Sequence, residues 1–137
     1  YGLMPEGELA NEKSKLSPLS LYAEAKVAIE NYILEEIQHK SKNTYTILRF
    51  ATAFGLSNRM RFDLTVNQFA RALTNSEELI VFDADTWRPY CHVGDFANLI
   101  GIVFKSEPQK VRGEVFNAGS DGNNFTKRGQ TFKPTSP

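Results

Sequence analysis

Cysteine is almost missing from this chain: Cys91 is the only one in 137 residues. One thiol excludes an intrachain disulfide framework and a multi-cysteine zinc site, and it suits a reducing cytosol, so a cytoplasmic location is expected. Net charge is missing too, because sixteen Lys and Arg balance sixteen Asp and Glu. No overall field then draws the chain to nucleic acid or to an anionic membrane, and any anion site has to be local. Long apolar runs are also lacking. None approaches the roughly 18 residues of a membrane span, and no basic segment followed by an apolar core opens the chain as a signal peptide would. The expectation is a soluble, unexported protein with neither a nucleic-acid nor a membrane partner. No carboxylate cluster or second histidine accompanies His92 and Asp95, which read as strand and helix-cap residues, so no metal site is expected.

What is present suffices for one domain and is too short for two: 41% of residues are hydrophobic and 12% aromatic. Residues 1 to 16 show no sustained period and read as loop. Ser17 and Pro18 read as an N-cap followed by a first-turn proline. Apolar residues then recur at Leu21, Ala25, Ala28, Ile29, Tyr32, Ile33 and Ile37, the three-to-four spacing of a helix with one buried stripe, expected to run to about His39. Thr44 to Phe50 is β-branched and aromatic and reads as a strand, so a helix leads into a strand and the fold class is α/β. Past a loop at Gly55 and Asn58, Asp63 is expected to cap a second helix with the stripe Leu64 or Val66, Phe69, Ala70 and Leu73, closed by Asn75 and Ser76. Leu79 to Phe82 and Tyr90 to Val93 read as short strands, Asp95 to Phe104 as a helix, and Glu114 to Asn117 as a last strand. The tail after Lys127 carries two prolines and no helical period, and residues 129–137 are expected to be disordered.

Tyr22 and Lys26 stand four apart on the first helix and so project from one face. An ammonium beside a phenol favours the phenolate, which acid/base work by tyrosine near neutrality requires. Taken alone, the spacing equally describes a half-buried helix tyrosine beside a solvated lysine.

The company of that pair is more specific. Tyr1-Gly2, Pro18-Leu19-Ser20-Leu21-Tyr22-Ala23-Glu24-Ala25-Lys26, Leu48-Arg49-Phe50, Phe54-Gly55, Arg88-Pro89-Tyr90-Cys91-His92-Val93-Gly94-Asp95 and Phe116-Asn117-Ala118-Gly119-Ser120 occur in that order. The series resembles the extended short-chain dehydrogenase/reductases, and within them the NAD-dependent epimerases and dehydratases of nucleotide sugars. Arg59-Met60-Arg61-Phe62-Asp63-Leu64-Thr65-Val66-Asn67 looks like a stretch found in one branch of them. The likeness covers residues 1 to about 128.

The resemblance implies the C-terminal part of a Rossmann-type fold with its small substrate-binding region. Tyr22 would be the general acid/base at a sugar hydroxyl undergoing hydride transfer, and Lys26 would assist it and bond the nicotinamide ribose. Phe50, Ala51 and Ala53 would line the NAD or NADP cofactor and Thr52 the sugar, although many relatives carry Asn where Thr52 stands. Arg88 would contact the diphosphate of a nucleoside-diphosphate sugar, a task suited to a planar charged fork; on its own it reads equally as a surface arginine. Arg61 and Asn67 would reach the nucleotide, against helix-cap and solvated-face readings. His39, near a helix end where positive charge suits the dipole, is assigned no chemistry. A homodimer through the Tyr-Lys helix is likewise implied by resemblance alone.

The glycine-rich turn Gly-x-x-Gly-x-x-Gly, which brings backbone N–H groups to a pyrophosphate, occurs nowhere in the 137 residues. The dinucleotide-binding half is therefore expected to be absent, and the departure from the family pattern at Gly129 suggests a truncated or shifted frame. Two functions follow: a piece of an NAD(P)-dependent isomerase, lyase or oxidoreductase of nucleotide sugars, or a non-catalytic remnant that binds a nucleotide sugar weakly at most.

Overall fold

Helix α1 (Leu21–Gln38) starts where Ser20 can satisfy a free backbone donor: Ser20 Oγ accepts from the Ala23 N–H at 3.2 Å. The cap is therefore Ser20, not the expected Ser17, which instead lies in a parallel bridge with Gly2. A hydroxyl three residues before the acceptor-seeking N–H reaches it, and one six before does not. The computed structural model describes residue 2, residues 10–38 and residues 42–128, so His39 and the tail beyond Arg128 lie outside the described residues.

Two units are distinguished, Tyr1–Arg49 with Gly101–Asn117 and Phe50–Ile100 with Ala118–Pro137. In the first, β1 (Ile47–Phe50) pairs with β4 (Val115–Ala118), the Ile47 N–H donating to Glu114 O at 3.0 Å. Strand β1 is shorter than the expected Thr44 to Phe50 because the two residues before it bond elsewhere. Tyr45 O accepts the Gly113 N–H at 2.9 Å, and the Thr46 hydroxyl donates to Val111 O at 2.9 Å. These bonds hold a short unexpected helix, α4 (Pro108–Val111), with proline in its first turn. Gly113 follows it at φ 77°, a left-handed conformation that favours glycine. The same unit holds the ion pair of Arg49 with Glu30, whose side chains are only 17% and 12% exposed.

In the second unit a three-stranded sheet runs β2-β3-β5. Strand β2 (Thr52–Phe54) lies parallel to β3 (Trp87–His92), and β5 (Asn124–Thr126) pairs with β3 antiparallel. Strands β2 and β5 are not expected from the residue pattern, because three residues carry too little alternation to register. Helix α2 (Thr65–Thr74) buries Asn67, Phe69 and Ala72 and ends at Asn75 as expected. Its cap position is Leu64, with no side-chain cap bond; the carboxylate expected to cap it, Asp63, is taken by Arg61. Leu79 to Phe82 is not a strand. That segment leads into a turn at Asp83, where the Thr86 N–H donates to Asp83 O at 3.2 Å, and leaves Ile80 and Phe82 exposed. Helix α3 (Val93–Lys105) begins two residues before the expected Asp95. Lys127 and Arg128 form a turn braced on Phe82 O and on Asp85, so the chain keeps its order to the end of the described residues.

Among the described residues the buried apolar ones are few: Phe69, Ala72, Tyr90, Cys91, Val111 and Ala118. Leu21, Leu56 and Phe104 are more than four-fifths exposed, at 81%, 86% and 86%. No described helix is long and apolar enough to cross a membrane.

Candidate functional site

On α1, Tyr22 and Lys26 share a face, and the Lys26 ammonium lies over the Tyr22 ring, 5.3 Å from its centroid. That is within the range of cation–π attraction. Tyr22 is 74% exposed, so its hydroxyl is open to a ligand. Both residues belong to the first unit; the remaining candidates belong to the second.

In the second unit, strand register decides which side chains share a face. Thr52 stands opposite Tyr90, Ala53 opposite Cys91 and Phe54 opposite His92. Side chains alternate along a strand, so Arg88, Tyr90 and His92 point to one side of the sheet together with Thr52 and Phe54. The sheet thus brings Thr52 and Arg88 to one face, with Tyr90 between them. Tyr90 is 2% exposed, and its hydroxyl is buried without a hydrogen-bond partner among the described residues. Periodicity marks that residue as core and says nothing of its hydroxyl. Phe50 packs its ring on Phe96 at 4.4 Å. Ala51 donates its N–H to Ala118 O at 2.9 Å, and a Cβ on Gly119 would come within 3.2 Å of the Ala51 Cβ. The glycine of the Phe-Asn-Ala-Gly-Ser motif thereby lets its backbone approach the strand end that carries Ala51 to Ala53.

His92 acts as the cap that Asp95 was expected to be. Its Nδ1 accepts the Gly94 N–H at 3.1 Å, satisfying one free donor at the start of α3, and its ring meets Phe54 edge-on at 5.5 Å. Asp95 sits within the first turn, where a carboxylate suits the helix dipole. Burial, and then the Asp95 charge, push the Cys91 thiol above its ordinary value.

The loop after β2 is tied down by Asn67. This buried side chain accepts the Gly55 N–H at 3.2 Å and donates to Arg61 O at 3.1 Å. Arg61 in turn engages Asp63 through Nε at 3.2 Å and Nη2 at 2.5 Å, and that guanidinium holds the Asp63 carboxyl below the usual carboxylate range. Gly55 has φ 120°, and a Cβ there would lie 2.5 Å from His92 Nε2 and 3.2 Å from Val93 Cγ2. Gly55→Ala should therefore lose about 2 kcal/mol of stability, from backbone strain and from displacing the His92 cap. A chemical denaturation midpoint equal to wild type would contradict this.

The model of the NAD dependent epimerase/dehydratase family matches residues 1–119. The chain belongs to that family. Among solved structures similar to this chain is the UDP-glucose 4-epimerase of Thermus thermophilus in complex with NAD. It is 26% identical with a TM-score of 0.73, and the match covers 93% of this chain and 41% of that one. The UDP-glucose 4-epimerase of Thermotoga maritima with UDP-glucose is 28% identical at a TM-score of 0.66, covering 81% of this chain and 35% of that one. An uncharacterized protein of Schizosaccharomyces pombe is 27% identical over 139 residues, covering 88% of this chain and 38% of its own length. The chain thus spans about two fifths of the length of these relatives. Its mixed α/β architecture with parallel strand pairing agrees with that of the solved epimerases.

Proposed function

We propose that this chain carries the acid/base pair and the sugar-nucleotide side of an NAD-dependent epimerase/dehydratase. The observation that carries the reading is the Lys26 ammonium over the exposed Tyr22 phenol. With a sugar hydroxyl at the Tyr22 oxygen, the phenol holds the proton exchanged with that hydroxyl. Lys26, one helical turn on, sets its ammonium over the same ring and is the second polar group of that exposed face. Arg88, on the face shared with Thr52, offers a fork to the diphosphate, and Thr52 offers a hydroxyl to the sugar. Arg61 belongs to the loop that would face the nucleotide, Asn67 to the start of α2 that ties that loop down, and Phe50, Ala51 and Ala53 to the run from β1 into β2 that would line the nicotinamide.

The residues present fit one end of the cofactor. Tyr22 and Lys26 offer exposed donors for a ribose, whereas the pyrophosphate finds no Gly-x-x-Gly-x-x-Gly turn in the 137 residues. A bound nicotinamide would supply the hydride acceptor, and the residues here supply proton transfer and orientation. A homodimer through α1, which would cover the exposed Ile29 and Tyr32, and a cytoplasmic location suited to the lone Cys91 belong to the same proposal.

For the polypeptide by itself, the thin core and exposed apolar residues favour a second reading, that of a non-catalytic piece which binds a nucleotide sugar weakly at most. Titration of NAD and NADH, followed by the emission of Trp87, separates the two. The second reading expects no saturation below about 1 mM, and tighter binding of either nucleotide would overturn it.

A further inference from the structure

We infer that Arg49 is a positioning residue for the Tyr22–Lys26 pair: by occupying the Glu30 carboxylate it keeps the Lys26 ammonium on the Tyr22 ring. This deepens the acid/base reading above and rests on it.

Tyr22, Lys26 and Glu30 recur every four residues along α1 and so follow one another on one face of the helix, a turn apart. Among the positions three or four away from Lys26, Glu30 is the only carboxylate. Helical side chains lean towards the N-terminus, over the turn before their own Cα. Lys26 therefore leans towards Tyr22, and Glu30 leans towards Lys26. Within α1 alone the ammonium has two possible partners, a phenol ring before it and a carboxylate after it. The Glu30 side chain is only 12% exposed, and a charge so little hydrated would draw the nearest mobile cation to itself.

The fold removes that competitor by giving Glu30 a different cation. Arg49 donates Nε to Glu30 Oε2 at 3.1 Å and Nη2 to Glu30 Oε1, so one planar fork engages both carboxylate oxygens. A lysine ammonium is a point charge and cannot match that geometry. Nη1 of the same guanidinium donates to Glu12 O at 3.1 Å, and Glu12 Oε1 accepts the Asn117 N–H at 2.9 Å, which ties the fork to the segment before α1 and to β4. Among the described residues no carboxylate pairs with Lys26, and its ammonium lies over the Tyr22 ring. Arg49 thus acts on the phenol through Glu30 and Lys26.

The test is made on the ¹³C-labelled chain, with two signals of the Tyr22–Lys26 contact. These are the nuclear Overhauser effect between the Lys26 Hε protons and the Tyr22 ring, and the ring-current displacement of the Hε resonance. Both should be present in the unaltered chain. Arg49→Met should abolish both, as the ammonium passes to the stranded Glu30. Adding Glu30→Leu to Arg49→Met removes the competing carboxylate and should restore both signals, an outcome that a merely structural role for Arg49 would not give. If Arg49→Met loses its dispersed spectrum, Arg49→Lys takes its place: the Overhauser effect should fall at least about twofold, because the fork is lost, and recover on adding Glu30→Gln. Signals unchanged by loss of the fork, or lost equally with and without Glu30, would overturn the inference and leave the Tyr22–Lys26 reading standing. Signals absent from the unaltered chain would overturn both. Whether Tyr22 acts as an acid/base is judged separately, by turnover.

Discussion

Tyr22→Phe should lower turnover at least about a hundredfold, with little change in KM, once this chain is fused behind the dinucleotide-binding half of a family member. Phenylalanine keeps the ring beneath the Lys26 ammonium, so helix packing and the cation–π interaction survive, and only the exchangeable proton is removed. A hundredfold loss corresponds to about 2.7 kcal/mol of transition-state stabilisation, the size expected for one positioned acid/base group. The exposure of Tyr22 argues against a structural cost that could imitate the effect. Lys26→Met should lower turnover as well, because the ammonium held over the Tyr22 ring, proposed to bond the nicotinamide ribose, is gone. Turnover by Tyr22→Phe within a few fold of the unaltered fusion would remove this residue from the mechanism.

The second large effect is on stability. Arg49→Met should destabilise the chain by about 2–3 kcal/mol, because it leaves the Glu30 carboxylate, whose side chain is only 12% exposed, without its cation. Arg49 donates Nε to Glu30 Oε2 at 3.1 Å and Nη1 to Glu12 O at 3.1 Å. Glu12 Oε1 in turn accepts the Asn117 N–H at 2.9 Å, and that bond, with its own backbone N–H and the Arg49 charge assisting, holds the Glu12 carboxyl below the usual range. One guanidinium therefore ties α1, β1 and the segment before α1 to one another. The double variant Arg49→Met, Glu30→Leu should recover most of the loss, since replacing both partners of a buried pair removes the stranded charge. A urea midpoint for Arg49→Met within experimental error of wild type would show that the pair contributes nothing net.

Glu12 titrates with a definite sign. Its carboxyl is held low in the fold, so its contribution is present above the ordinary carboxylate pKa and fades as pH falls through the lowered one. Glu12 is exposed, so the effect is small beside that of the buried pair. Asp63 and Asp85 follow the same sign through Arg61 and Arg128.

How much was legible in advance depends on the range of the interaction concerned. The amino-acid sequence by itself determined α1 and α2, the approximate places of β1, β3, α3 and β4, and the one-turn spacing of Tyr22 and Lys26, because helical periodicity and β-branched runs act over a few residues. The order of its motifs also determined the family. What only the tertiary structure decided were matters of partner choice. Among equally plausible hydroxyls and carboxylates, Ser20 rather than Ser17 caps α1, His92 rather than Asp95 caps α3, and Asp63 pairs with Arg61 instead of capping α2. The Leu79–Phe82 run is as apolar as a strand, yet no strand forms there, because ladder bonds need a neighbour that the run's own composition does not supply. The shared face of Thr52 and Arg88 depends on a parallel register between segments more than thirty residues apart. Each of these is a competition between distant groups for one donor or one charge, and its outcome is set by distances that exist only after the chain has folded.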